Sequence, residues 1–122
     1  VKAVGLGKDL QEELTDANIL INTTPIGMYP NADQKPLVTA EKMSENLIVN
    51  DVIYNPLETG LLKEAEKAGA QTISGIKMLI YQGIESFKIW TGREPPREVF
   101  EEAVSKQINF KDINKKLKLN KH

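Results

Sequence analysis

Gly75-Ile-Lys-Met-Leu-Ile-Tyr-Gln-Gly-Ile-Glu-Ser-Phe-Lys-Ile-Trp-Thr-Gly92 reads as one helix with a glycine at each end. It follows Gln71–Ser74, a short strand-like segment. A strand that turns straight into a helix at a glycine is where an open α/β sheet presents backbone to a ligand. Gly92 stops the helix, and Pro95-Pro96 forbids its continuation. At about 100° per residue, Ile76, Leu79, Ile80, Gly83, Phe87 and Trp90 share a broad apolar face. Gly75, Met78 and Gln82 fall on a second line, at i, i+3 and i+7. Gln82 has two readings. One is an ordinary exposed helix residue, since Gln is a good helix former. The other is an amide aimed at a hydroxylated ligand, because it offers both donors and acceptor lone pairs.

Two more strand-like runs precede the helix. Asn18-Ile-Leu-Ile-Asn22 is continuously apolar, which suits a strand buried on both faces of a parallel sheet. It ends in Asn22-Thr-Thr-Pro-Ile-Gly-Met-Tyr-Pro30, where prolines and a glycine stop regular structure and Thr23 and Thr24 lie at the carboxyl end of the strand. A turn capped by Asn and Thr side chains explains the same residues without a ligand. Leu47-Ile-Val-Asn-Asp-Val-Ile-Tyr54 is the second strand, ended by Asn55-Pro56. Thr59 then caps a helix over residues 60–68, with Gly69 as its stop and Leu61, Leu62 and Ala65 as its buried face. Elsewhere, residues 1–4 read as the end of a strand and residues 9–15 as one or two helical turns. Thr39 reads as the cap of a short helix over 40–43. A last helix covers 97–108, with Val99, Phe100, Ala103, Val104 and Gln107 as its stripe. Strands alternating with helices argue for a parallel α/β sheet with right-handed crossovers, here about three strands with flanking helices and further helices at the carboxyl end. No Gly-x-Gly-x-x-Gly phosphate loop occurs in the sequence.

Composition sets bounds on function. The 122 residues suffice for one domain, and the net charge of −1 gives no electrostatic case for nucleic acid. No apolar run approaches the roughly 18 residues of a membrane span. Cysteine is absent and the one histidine is His122, the last residue. Thiolate chemistry, cysteine metal sites and histidine-based triads are therefore excluded within this sequence, and the lack of cysteine fits a cytoplasmic protein.

Four segments resemble shikimate dehydrogenases. Asn22-Thr-Thr-Pro-Ile-Gly-Met28 is similar to the family's Asn-Ala/Thr-Thr/Ser-x-x-Gly-Met, and Asp51-Val-Ile-Tyr54-Asn-Pro-x-x-Thr59-x-Leu-Leu62 to its Asp-x-x-Tyr-x-Pro-x-x-Thr-x-Leu-Leu. Gly75-x-x-Met78-Leu79-x-x-Gln82 resembles the helix start, and Phe87-x-x-Trp90-Thr-Gly92-x-x-Pro95 follows at the family's spacing. The four occur in order and cover about residues 17–105.

The resemblance implies the carboxyl-terminal half of a Rossmann-like NADP-binding domain plus closing helices over residues 1–110; residues 111–122, rich in lysine and poor in apolar side chains, read as a basic flexible tail. It implies reversible, NADP-dependent reduction of 3-dehydroshikimate to shikimate, as part of aromatic amino-acid biosynthesis; a quinate-using relative differs only in substrate. Tyr54 and Gln82 match substrate-binding residues. Gly75 and Val52 match residues at the nicotinamide, and Thr23 and Thr24 match the turn along the ribose and nicotinamide. The family's catalytic lysine and aspartate, and its phosphate loop, match nothing in this sequence, so no catalytic residue and no metal ligand is assigned and the isolated chain is expected to be inactive. Lys63, Lys67 and Lys88 lie on helix faces, and Lys77 stands where the family usually carries a small residue. The implied partners are shikimate or 3-dehydroshikimate and the missing amino-terminal half of the same enzyme. A contrasting expectation is a non-catalytic module whose open strand edge at 18–22 pairs with a second copy to form a homodimer.

Overall fold

The computed structural model describes residues 1–108. The expected basic tail therefore lies outside the described residues. Elements follow in the order α1 (Lys8–Glu13), β1 (Ile19–Asn22), β2 (Ile48–Asp51), α2 (Gly60–Lys67), β3 (Gln71–Ser74), α3 (Gly75–Thr91) and α4 (Arg97–Gln107), with 3₁₀ turns at Leu14–Asp16 and Ala40–Lys42. The strands form a three-stranded sheet in the order β1-β2-β3, parallel throughout. The chain divides into two compact units, Val1–Gly75 and the residues from Ile76 onward.

In the first unit, the register sets Leu20 beside Val49 and Val49 beside Thr72, and at the carboxyl ends it sets Asn22, Asp51 and Ser74 side by side. Val49 joins Leu61, Leu62 and Ala65 of α2 in a buried core with Leu14, Val38 and Leu47. Each large side chain taken from water there contributes about 1.5–3 kcal/mol. Thr59 caps α2 as expected: its hydroxyl accepts from the Leu62 N–H at 3.3 Å. Gly69 ends the helix at φ +77°, a conformation that favours glycine.

Several expectations are corrected. Residues 1–4 form no strand, and they are exposed. β1 is not buried on both faces: Ile19 and Ile21 are each 57% exposed, while Asn22 is buried. A continuous apolar run carries no alternation, so it cannot say which face is covered. Thr39 makes no cap; its hydroxyl donates to Glu41 Oε1 at 3.2 Å. The Ala40 N–H instead donates to Glu64 Oε2 on α2, at 2.9 Å. Glu64 also pairs with Lys67 at 2.5 Å. The Lys67 ammonium, then the Ala40 N–H, hold the Glu64 carboxyl below its ordinary value of 4.5. A carboxyl depressed by folding stabilises above its unfolded pKa, and that contribution is lost as pH falls through the folded value. In the intact protein, Glu64→Gln is thus expected to lower the thermal midpoint at neutral pH. The difference from the parent should shrink as pH is taken below the ordinary carboxyl value of 4.5, and melting curves on either side of it check this.

In the second unit, Ile76, Ile80 and Ile84 are the buried line of α3. Gly83 and Phe87 are half-buried, but Trp90 is 81% exposed, so the apolar face closes on Ile84 rather than reaching Trp90. On α4, Phe100 and Val104 are half-buried, whereas Val99, Ala103 and Gln107 are exposed. α4 lies against α3 through an edge-to-face pair, Phe87 and Phe100, with ring centroids 6.0 Å apart. The Arg97 guanidinium lies over the Tyr81 ring at 5.1 Å. Gly92 ends α3 at φ +66°, its N–H donating to the Lys88 carbonyl at 2.8 Å.

Candidate functional site

The carboxyl ends of β1 and β2 open onto a cavity of about 450 Å³. One wall comes from the segment after β1, with Thr23, Thr24, Pro25, Met28 and Tyr29. The other comes from the segment after β2, with Val52, Ile53, Tyr54 and Asn55. The two walls are joined by main chain: the Val52 N–H donates to the Asn22 carbonyl and the Tyr29 N–H to the Asn55 carbonyl, both at 3.1 Å.

Beside the cavity is a buried polar cluster. Asp51 is fully buried, and its carboxylate accepts from three donors: Asn22 Nδ2 at 3.2 Å, the Ile53 N–H at 3.1 Å and the Thr59 hydroxyl at 2.7 Å. Asn22 Oδ1 in turn accepts from the Thr24 N–H at 3.0 Å and the Thr24 hydroxyl at 2.7 Å. The Thr24 oxygen then accepts from the Ile26 N–H at 3.2 Å. Burying a carboxylate is costly unless both its oxygens are hydrogen-bonded, and here they are. The same carboxylate thus touches the wall after β2 directly and the wall after β1 through Asn22.

Four of the six residues singled out in the sequence line this cavity together: Thr23, Thr24, Val52 and Tyr54. The Thr24 proton is committed inward to Asn22, whereas Thr23 and Tyr54 are exposed at the opening. Gly75 is buried, and the reason for a glycine there is internal. A Cβ on it would lie 2.3 Å from the Val52 carbonyl oxygen and 2.6 Å from that of Ile53. Gln82 lies on α3 and is exposed, and its carbonyl accepts from the Ser86 hydroxyl at 2.8 Å. Two lysines noted in the sequence are engaged: Lys67 with Glu64, and Lys88 with Glu85 at 2.8 Å and Glu94 at 3.0 Å. Met28, Tyr29 and Asn55 also line the cavity and were not singled out, nor were Asn22, Asp51 and Thr59 as a cluster. The available signal was a polar residue closing each apolar run, Asn22 and Asp51.

Residues 75–104 match the shikimate 5'-dehydrogenase C-terminal domain. Over 108 residues the chain is 56% identical to the shikimate dehydrogenase (NADP(+)) of Methanopyrus kandleri, covering 88% of this chain. The chain matches the carboxyl-terminal part of the shikimate dehydrogenase family. It spans 37% of the length of that relative. A crystal structure of a shikimate dehydrogenase in complex with NADP+ superposes with a TM-score of 0.75 at 58% identity, covering 79% of this chain and 33% of that one. The enzyme of Thermus thermophilus, solved with NADP(H) and shikimate, gives 0.72 at 33% identity over 87% of this chain and 38% of its own. The parallel α/β arrangement expected from the sequence is thus the arrangement of known members, and the chain corresponds to part of their length.

Proposed function

We propose that this chain supplies the nicotinamide side of the cofactor site, and two substrate contacts, in an NADP-dependent enzyme that interconverts 3-dehydroshikimate and shikimate. The observation that carries the reading is the cavity at the carboxyl ends of β1 and β2, which gathers Thr23, Thr24, Val52 and Tyr54. Its lining suits a flat, weakly polar ring bearing a carboxamide. Val52, Ile53 and Met28 offer apolar contact, while Thr23 and Asn55 offer hydrogen bonds. Bound there, the nicotinamide would supply the hydride chemistry, and the residues of this chain would orient it and exclude water. Tyr54 and Gln82 would hold the substrate's hydroxyls or carboxylate. The proton-transfer pair would come from the rest of the polypeptide, so the 122 residues alone are expected to show no dehydrogenase activity.

The exposed Ile19 and Ile21 on β1 support a cover from the remainder of the same polypeptide, for which the greater length of the relatives leaves ample chain. A second copy on that face is the competing arrangement, and light scattering of the intact protein separates them.

In the intact enzyme, Tyr54→Phe and Gln82→Ala are each expected to raise KM for shikimate by about tenfold, the usual effect of losing a hydrogen bond to a polar ligand. KM for NADP should change little. Unchanged shikimate KM in both variants would remove the substrate contacts from the reading, and turnover by the isolated chain would remove the division of labour.

A further inference from the structure

We propose that Asp51 is a positioning residue for the nicotinamide, acting by fixing the spacing between the two walls of the cavity. This rests on the reading of that cavity given above. Asp51 is not among the residues lining the cavity, and it is fully buried. Yet each wall is tied to it. The wall after β2 is held by the Ile53 N–H on Oδ1, and the wall after β1 by Asn22 Nδ2 on the same oxygen. Asn22 carries the tie onward to both the N–H and the hydroxyl of Thr24. The other oxygen, Oδ2, is anchored by the Thr59 hydroxyl at the start of α2. One carboxylate therefore references both walls to the first turn of a helix that is itself packed into the core.

A neutral side chain of the same shape cannot do this equally well. Hydrogen bonds to an ionised acceptor are roughly twice as strong as neutral ones. Three donors converge on Asp51, and an amide in its place presents one acceptor oxygen and an NH₂. Asp51→Asn keeps the volume and loosens the reference between the walls. The consequence falls on the end of the cofactor that lies between them and not on the end that lies elsewhere.

The test uses the full-length enzyme and two probes: NADPH, and adenosine 2′,5′-bisphosphate, which carries the adenosine end without the nicotinamide. Asp51→Asn is expected to weaken NADPH about tenfold and to leave the bisphosphate within about twofold. Asn22→Ala, which cuts the tie from the other side, should act in the same direction and carries the test if Asp51→Asn fails to fold. The double variant should weaken NADPH by less than the product of the two single effects, because both remove the one bond between Asn22 and Asp51. Thr59→Ser, which retains the hydroxyl, should bind NADPH as the parent does. Equal weakening of both probes would show a general structural role and overturn the proposal, as would unchanged NADPH affinity in both single variants. Val52→Trp, placed in the wall itself, separates the two ideas. If it weakens NADPH while Asp51→Asn does not, the positioning role alone fails. If it too leaves NADPH unchanged, the reading of the cavity fails.

Discussion

Gly75→Ala is expected to destabilise the protein by about 3 kcal/mol or more, at the upper end of what overpacking costs. The new methyl group would lie 2.3 Å from the Val52 carbonyl oxygen, 2.5 Å from its carbon and 2.6 Å from the Ile53 oxygen. All three are backbone atoms, so no side-chain rotation relieves the clash. Moving them would pull on the end of β2, where the Val52 and Ile53 N–H groups are bonded to Asn22 and Asp51. Gly83 provides the internal control. A methyl group there meets only the edge of the Phe100 ring, at 3.2 Å. Alanine is also favoured over glycine in a helix by about 1 kcal/mol, which offsets that contact. Denaturant melts of the intact protein should place Gly75→Ala far below the parent and Gly83→Ala close to it. Similar midpoints for the two variants would show that the strand-to-helix junction tolerates a side chain.

Asp51→Ala is expected to cost about 3 kcal/mol or more, because each buried donor left without an acceptor costs roughly 1–3 kcal/mol. Its effect is not lost packing, since a carboxylate is small. It comes from three donors left facing an empty site: the Asn22 amide, the Ile53 N–H and the Thr59 hydroxyl. Thr59 must also keep accepting from Leu62 to cap α2, so the damage reaches the helix start. Thermal or urea midpoints of the intact protein measure this directly. A loss within about 0.5 kcal/mol of the parent, the size of an ordinary surface substitution, would mean that water or a rearranged Asn22 replaces the carboxylate at no cost.

The contrast between these positions shows what the amino-acid order makes legible. The three strands, α2 with its Thr59 cap and Gly69 stop, and α3 from Gly75 to its end before Gly92 are all readable locally. Each depends on residues within a turn or two of one another. What the order does not carry is the outcome of pairing. Asn22 and Asp51 are 29 residues apart and become partners only through the register of β1 on β2. The continuously apolar 18–22 run has no period by which to see that Ile19 and Ile21 stay exposed. On α3, a broad apolar helix offers several faces, and the buried one runs through Ile76, Ile80 and Ile84 and does not reach Trp90. At the candidate site, Thr23 and Thr24 are suggested by their place at the carboxyl end of a strand, and Val52 and Tyr54 only by the family resemblance. The cavity that unites them with Met28, Tyr29 and Asn55 required the fold.

In the function proposed above, the walls after β1 and β2 receive the nicotinamide end of the cofactor. The most direct measurement is an amide NMR titration of the full-length enzyme with nicotinamide mononucleotide, compared with adenosine 2′,5′-bisphosphate. The mononucleotide is expected to shift the amides of Thr23, Thr24, Val52 and Tyr54, and the bisphosphate to leave them in place. Shifts at these four residues with the bisphosphate alone, or with neither compound, would contradict it.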